Sequence, residues 1–416
     1  MSNRKRTFRR FIRNAKYIDI PVMLVTAFLS IIGLVTIYSI TSVTFYNNLY
    51  DDASAYVSKQ IFGIVLGLIG ILVVMAIPYR LLKFCGFIAV FINPALLALT
   101  LVIGTGPGDV KSWLPLGPLS LQPVELVKIG LILSIAWFAS EMKQFHKYLG
   151  IKKIFTTIFE PIRFSSKLKR WFLSPWGALA YTVFLLLLVM MQPDLGSGLI
   201  LAGIGIVMVL SSGIDWRSIT QISVIVVVGF ISIWLLKDHV LKPHQLERFL
   251  MWKDPFAYAQ DIGYQNIMGY QAIANGGFWG TGIGQGIQKY GYMSEPHNDF
   301  IISIVAEEMG FITVFLVTLS YFVIGARMMR TALITNDLFA SLTCIGLGSC
   351  FILQAIINLG GVSGTIPLTG VTLPFISYGG TSIMVSLIML GFYFNVRSHV
   401  VIGKPNLLSD KISKIY

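Results

Sequence analysis

Long apolar segments constrain the fold of this chain more than any other feature. Of its 416 residues, 55% are hydrophobic and 12% are charged, whereas soluble domains carry roughly 25% charged residues. Many of the apolar segments approach the roughly 20 residues that a helix needs to cross a bilayer, so we predict an all-α polytopic integral membrane protein with about ten transmembrane helices. The predicted spans are residues 18–40, 61–77, 82–103, 121–138, 176–191, 195–210, 219–236, 301–326, 338–359 and 382–394.

The distribution of charge predicts how these spans are oriented. The chain has 32 Lys and Arg against 19 Asp and Glu, and a topology with both termini in the cytoplasm puts most of the cations on the cytoplasmic side. Because this is the bias of the positive-inside rule, the excess charge indicates contact with anionic membrane lipid rather than with nucleic acid. We predict a basic cytoplasmic N-terminus at 1–17, a transmembrane domain at 18–396 and a cytoplasmic tail at 397–416.

The longest connection that this topology places outside is residues 237–300, before the eighth span. Its many aromatic residues predict an ordered loop with short amphipathic helices on the membrane surface. A glycine-rich run at 275–286 contains G-x-G fragments, but it follows no strand of a βαβ unit and does not indicate a dinucleotide site. The three cysteines lie in or beside apolar segments, a placement that indicates neither a disulfide framework nor a metal site.

Ionisable residues within or beside spans are costly and are candidates for function. Glu125 and Lys128 are three residues apart in the sequence SLQPVELVKIGL, so they can pair on one face of a helix. That pair is either structural or part of a site. Asp194 lies in a Pro/Gly turn between two spans, where it either binds its own turn backbone or contributes to a site.

Acidic residues also mark the start of the eighth span. Asp299 precedes the apolar run in the sequence PHNDF, where it is either a helix N-cap or a functional carboxylate. Glu307 and Glu308 follow inside the span. At about 100° per residue, one helix face cannot present both glutamates together with Asp299. At least one glutamate must therefore meet a neighbouring helix or a cavity.

The polar candidates collect at the span ends that face outward. They are Lys111, Trp113, Glu125, Lys128, Asp194 and Asp299. Of the aromatic residues nearby, Trp113 is also typical of an interfacial anchor, and His297 is also typical of an ordinary interface residue. An outer cavity with acids and bases beneath a large loop suits a lipid-linked polar substrate.

The motifs of the chain resemble those of the SEDS family (shape, elongation, division and sporulation), which comprises the peptidoglycan glycosyltransferases FtsW, RodA and SpoVE. The resemblance covers nearly the whole chain. It is carried by the sequences IGLVTIYSIT (32–41), KSWLPLGPLSLQPVELVK (111–128), QPDLGSG (192–198), the loop ending in PHNDF, and NLGGVSGTIPLTGVTLPFISYGGTS (358–382). Three departures are small: Lys111 stands where Arg is usual, Val124 where Ser is usual, and Asn298 where Thr is common.

The resemblance implies roles for individual residues in the polymerisation of lipid II. By match to the family motif, Asp299 is the catalytic base. Lys111 and Lys128 are candidates for the electrostatics of the diphosphate or cavity, and Glu125 orients Lys128. The remaining candidates for substrate binding or the cavity are Trp113, Asp194, His297 and Ser377. The resemblance favours a divalent cation, Mg or Mn, that shares the pyrophosphate charge, without a tightly bound cofactor.

The resemblance also implies partners and a location. The sequences ERFLMWKDPF and QKYGYMSEPHNDF are most similar to FtsW of Gram-positive bacteria. A protein of that kind works in septal wall synthesis at the bacterial cytoplasmic membrane, with a class B penicillin-binding transpeptidase and other divisome proteins. Three alternatives stay open: a RodA-type elongation polymerase, a lipid II flippase, and a scaffold that recruits the transpeptidase.

Overall fold

The computed structural model is almost entirely helical. It describes residues 12–47, 53–106, 111–116, 119–152, 174–213, 220–221, 223–224, 228–229, 243–260, 263–290, 293 and 296–403. The long helices are α1 (Ile20–Asn47), α2 (Ala53–Ala76), α3 (Tyr79–Ile103), α4 (Pro123–Lys152), α5 (Pro175–Met190), α6 (Leu195–Ser211), α9 (Ile301–Ile334), α10 (Leu338–Val362) and α11 (Gly380–Ile402). Strands β1 (Leu114–Leu116) and β2 (Leu119–Leu121) form an antiparallel hairpin before α4.

Within the described residues, seven helices are long and apolar enough to cross a membrane: α1, α2, α3, α4, α9, α10 and α11. The shorter apolar helices α5 and α6 coincide with the predicted spans at 176–191 and 195–210. The seven long helices confirm seven of the predicted spans, and α5 and α6 show that two further predicted spans are apolar helices. The predicted span at 219–236 lies largely outside the described residues.

The helices extend further than hydropathy predicts. Helix α4 continues from the predicted end at 138 to Lys152, and α11 continues from 394 to Ile402. Helix α2 begins at Ala53, whereas the sequence placed its start at 61. Hydropathy marks where lipid contact stops, but a helix ends only where its backbone hydrogen bonds stop.

The core of the bundle is formed by helices on which most side chains are buried. In α4, 89% of the membrane-spanning window is buried, and in α10 and α11 the value is 67%. Only 28% is buried in α2 and α3, whose apolar side chains point outward, as lipid-facing side chains do. The functional candidates on α4 and on the ends of α9 to α11 therefore lie in the protein interior.

The loop at 237–300 contains the predicted short helices, α7 (Pro243–Lys253) and α8 (Tyr264–Gly276). The glycine-rich run that follows them packs against a break in α9. At Gly310 the backbone takes φ 78° and ψ 173°, which interrupts the helical hydrogen bonds. Few residues other than glycine tolerate this conformation.

The loop supplies the hydrogen bonds that the break removes. The N–H groups of Thr281 and Gly282 donate to the carbonyls of Glu307 and Glu308. The N–H groups of Phe311 and Ile312 donate to loop carbonyls at 277 and 278. Non-helical backbone at membrane depth is tolerated only where such partners satisfy it.

The bundle has two ends, and we call the one that holds residues 297–299 the Asp299 end. At the opposite end, Asp19 is fully buried and binds Arg327 at 2.9 Å and Arg397 at 2.8 Å. The hydroxyl of Tyr393 also donates to Asp19. These bonds fasten α1, α9 and α11 together, so Arg397 belongs to the folded bundle although the predicted cytoplasmic tail began at this residue.

Candidate active site at the Asp299 end

The backbone around Asp299 is held by three neighbouring donors, each of which binds one of its own carbonyls. The carbonyl of His297 accepts from the N–H of Tyr378 at 2.9 Å. That of Asn298 accepts from Ser377 Oγ at 2.9 Å, and that of Asp299 accepts from Asn358 Nδ2 at 3.0 Å. Because each bond uses a backbone carbonyl, a change of side chain at 297–299 does not remove any of these three acceptors.

The partners of this segment belong to the loop at 363–379, which we call the final loop, and to α10. Ser377 Oγ also accepts from the N–H of Leu373 at 2.8 Å, which closes a turn. Gln60 of α2 is fully buried and binds both the carbonyl of Ser377 and the N–H of Gly379, each at 3.2 Å. The final loop is thus fixed from both sides before it meets residues 297–299.

The Asp299 carboxylate converges with a cation at Gly370. A β-carbon built on Gly370 would lie 3.4 Å from Asp299 Oδ2 and 3.5 Å from both terminal nitrogens of Arg248. The carboxylate and the guanidinium are therefore separated by at most the sum of those distances, about 7 Å. Gly370 has φ +78°, a left-handed conformation that suits glycine. Both charged groups therefore lie within contact distance of the position that a side chain at 370 would take.

Arg248 reaches this position because α7 lies on the final loop. Its Nη1 donates to the carbonyl of Leu368 at 3.4 Å, and Trp252 Nε1 donates to the carbonyl of Gly364 at 2.9 Å. These residues are one helical turn apart. One face of α7 is therefore docked on the final loop, and Arg248 is its charged contact there.

The Pro/Gly turn before α6 packs against the same loop. Asp194 caps α6 by accepting from the N–H of Ser197 at 3.0 Å, and it also accepts from Gln122 at 3.3 Å. A β-carbon on Gly196 would lie 2.6 Å from the carbonyl of Thr369, so only glycine allows this approach. The turn-binding role predicted for Asp194 is confirmed, and its carboxylate also ties the block at 111–128 to α6.

Glu125 and Lys128 form the predicted pair. Lys128 Nζ lies 2.7 Å from Glu125 Oε1, and the side chains are 1% and 6% exposed. Both charged groups are therefore shielded from solvent by the surrounding helices. Lys111 is exposed, and Trp113, which is half-buried, pairs through its backbone with Thr105.

His297 lies in an aromatic cluster with Tyr56 and Tyr378. The ring centroids are 5.2 Å apart for His297 and Tyr56, and 5.3 Å apart for His297 and Tyr378. This edge-on packing matches the interface role. Burial, and then the nearby Tyr56, raise the pKa of the Tyr378 phenol above its ordinary value, so it stays neutral at physiological pH.

The predicted N-cap at Asp299 is wrong by one residue. Helix α9 begins at Ile301, and Phe300 holds the cap position without a side-chain hydrogen bond to the helix. The cause is the three carbonyl contacts, which fix residues 297–299 as a turn ahead of the helix.

Glu307 and Glu308, which lie on α9 beyond Asp299, have different hydrogen-bond partners. Glu307 is fully buried and accepts from the N–H groups of Ile287 and Gln288 at 3.0 and 3.2 Å. Glu308 lies 2.6 Å from Lys289 Nζ and accepts from Ser39 of α1 at 2.7 Å. The prediction that one glutamate meets a neighbouring helix is confirmed for Glu308.

Sequence reasoning missed Arg248, Asn358, Gln60 and Lys289 as parts of this region. Asn358 and Gln60 are uncharged amides in or beside apolar helices, where a buried amide must find hydrogen-bond partners. That signal could have found them. Arg248 and Lys289 lie in a loop with several other cations, and nothing local distinguishes them. In the part of the chain that the structure describes, no group of three His, Cys, Asp or Glu could hold a metal ion.

Comparison with known proteins identifies what this chain is similar to. The family model for cell cycle proteins of the FtsW, RodA and SpoVE type matches residues 20–401. A protein of Bacillus subtilis named probable peptidoglycan glycosyltransferase FtsW is 34% identical over 88% of this chain and 87% of its own. Stage V sporulation protein E of the same organism is 32% identical over 92% and 97%.

Solved structures show the same fold. One chain, described under structural coordination of polymerization and crosslinking by a peptidoglycan synthase complex, superposes with a TM-score of 0.68 at 27% identity. It covers 92% of this chain and 98% of its own. The rod shape determining protein RodA of Thermus thermophilus superposes with a TM-score of 0.62 at 24% identity, over 91% and 96%.

Proposed function

Because the chain belongs to the FtsW, RodA and SpoVE family of cell cycle proteins, we propose that it is a peptidoglycan glycosyltransferase. It polymerises lipid II at the Asp299 end of the bundle, which the charge distribution predicts to be the outer end. Relatives named peptidoglycan glycosyltransferase FtsW support this activity. The observation that carries the proposal is the convergence of the Asp299 carboxylate and the Arg248 guanidinium at Gly370.

The proposed reaction is an inverting displacement at the donor sugar. The 4-hydroxyl of the acceptor sugar attacks the anomeric carbon of the donor, and a new C–O bond forms. The bond from that carbon to the phosphate oxygen breaks, and undecaprenyl pyrophosphate leaves with the electron pair. Asp299 takes the hydroxyl proton as general base. The fixed backbone of residues 297–299 keeps the carboxylate in place for this transfer.

The departing pyrophosphate requires positive charge. Arg248 suits that role because its planar guanidinium can bind two phosphate oxygens at once. We assign Lys111 to the electrostatics of the entrance and the Glu125–Lys128 pair to the cavity beneath it, with Glu125 orienting Lys128. Trp113, Asp194, His297 and Ser377 shape the walls that hold the substrate.

A divalent cation, Mg or Mn, would share the pyrophosphate charge. The described residues provide no carboxylate cage for such an ion, and Arg248 already places a positive charge beside Asp299. A cation would therefore enter with the pyrophosphate oxygens. No step proposed for this chain depends on it.

We propose a septal role at the bacterial cytoplasmic membrane, alongside a class B penicillin-binding transpeptidase and other divisome proteins. Several relatives are named FtsW, and the chain with a TM-score of 0.68 comes from a complex that polymerises and crosslinks. Rescue of conditional FtsW and RodA strains separates the two roles. Growth restored in the FtsW strain alone supports division, and growth restored in the RodA strain alone would contradict it.

The activity is tested with purified protein, its cognate transpeptidase and labelled lipid II, with the products resolved on a gel. Glycan polymer is the expected product. If no polymer forms although the partner is bound, the flippase and scaffold alternatives take precedence. Movement of labelled lipid II between the leaflets of vesicles would then distinguish those two.

Replacing Arg248 with Ala is expected to lower the polymerisation rate about 10²- to 10³-fold, the effect of removing one preorganised donor to a developing anion. Arg248→Lys should recover part of the rate, because the charge returns without the planar fork. The matched control is Lys253→Ala, an exposed cation on the same helix. Equal rates for Arg248→Ala and the control would remove Arg248 from the mechanism.

A further inference from the structure

A second polar site lies at the opposite end of the bundle. A cavity of about 290 Å³ opens there among residues that include Arg13, Arg80, Tyr79, Asn395 and His399. Its volume is close to the lower limit of about 300 Å³ for small-ligand pockets. We propose that this cavity binds the phosphodiester headgroup of an anionic membrane phospholipid.

The charges around the cavity favour an anion. Its lining contains two arginines and no acid. Arg13 and Arg80 are exposed, and neither forms an ion pair with any residue that the structure describes. Asp337, which contacts the lining through Tyr79, is already bound by Lys83 at 3.0 Å and by the hydroxyl of Tyr79 at 2.9 Å.

The asparagine amides of the lining already donate hydrogen bonds to backbone carbonyls. Asn14 Nδ2 donates to the carbonyl of Met75, and Asn395 Nδ2 donates to the carbonyls of Val74 and Ile77. His399 stacks on Tyr79 with 3.8 Å between ring centroids. The two arginines are the charged donors of the lining, with the imidazole of His399 beside them, and guanidinium groups match the oxygens of phosphate.

The location favours a lipid over a soluble phosphate. The cavity lies where α2 ends at Ala76, α3 begins at Tyr79 and α11 ends at Ile402. The predicted spans of α2 and α3 end at 77 and begin at 82, directly beside this cavity, which places it near the level of the headgroups. Leu81 and Phe84, on the first turns of α3, are 48% and 54% exposed. Such apolar surface can contact the acyl chains of a lipid, whereas a free phosphate has no apolar group to contact it.

Native mass spectrometry of the full chain in neutral detergent tests this site, with phosphatidylglycerol as probe and phosphatidylcholine for comparison. The Arg13→Ala/Arg80→Ala double variant should bind phosphatidylglycerol about tenfold to thirtyfold more weakly. Phosphatidylcholine binding should fall by less, because its headgroup has the same phosphate but a balancing cation. The control is Arg330→Ala, which removes an exposed cation on α9 near the same end of the bundle.

Three results would overturn the proposal. The first is equal phosphatidylglycerol binding by the wild type and the double variant. The second is an equal loss in Arg330→Ala, which would indicate general surface charge. The third is displacement of the lipid by soluble glycerophosphate at equal concentration, which would assign the cavity to a free phosphate. A thermal unfolding curve like that of the wild type establishes that the double variant is folded.

Discussion

Replacing Asp299 with Asn is expected to lower the rate of lipid II polymerisation about 10²- to 10⁴-fold, the usual contribution of a general base. The amide is nearly isosteric with the carboxylate but cannot accept the proton of the sugar hydroxyl. The fold should be unaffected, because residues 297–299 are held through their backbone carbonyls. The measurement is gel-resolved polymer from purified protein with its transpeptidase.

The neighbouring position provides a matched control. Asn298→Thr replaces a residue of the same turn with the one common in the family, and its polymerisation rate should stay near that of the wild type. Asp299→Ala should behave like Asp299→Asn. If both Asp299 variants form polymer at the wild-type rate, the base lies elsewhere.

Breaking the Lys289–Glu308 pair is expected to cost about 3–5 kcal/mol of stability for either single change, Lys289→Met or Glu308→Gln. Both side chains are almost fully buried, at 1% and 0% exposure, so each single change leaves one group without its partner. The second oxygen of Glu308 already lacks a hydrogen bond. Thermal unfolding of the purified protein measures the loss.

The Lys289→Met/Glu308→Gln double variant should be more stable than the sum of the single losses predicts, since it leaves no unpaired charge. Lys83→Met is the comparison, because the Lys83–Asp337 pair is 29% exposed on each side. An exposed pair of this kind contributes about 0–1 kcal/mol. Losses as small for the buried pair as for Lys83→Met would contradict the prediction.

Local sequence was sufficient wherever the physical signal was local. Apolar length located nine helices, because the bilayer sets a minimum for each. The spacing of Glu125 and Lys128 predicted their pairing, since residues three apart meet on a helix. The Pro/Gly turn at Asp194 predicted its bond to the turn backbone in the same way.

Contacts between residues far apart in sequence fix the features that local sequence did not predict. The N-cap at Asp299 failed because partners on α10 and the final loop fix the backbone before α9 begins. Arg248 binds a carbonyl 120 residues away, and Ser39 binds a glutamate 269 residues away. No periodicity within one helix contains information about such pairings.

The break at Gly310 has a consequence for how the chain enters the membrane. It lies nine residues into α9, or about 14 Å from the helix start at 1.5 Å per residue. The carbonyls of Glu307 and Glu308 are the regular i to i+4 partners of the N–H groups of Phe311 and Ile312, so the span can insert as an uninterrupted helix without leaving these groups unsatisfied. The bonds to 277–282 replace that pairing once the loop docks. An epitope tag placed within 277–282 should therefore leave membrane insertion intact and prevent the break from forming.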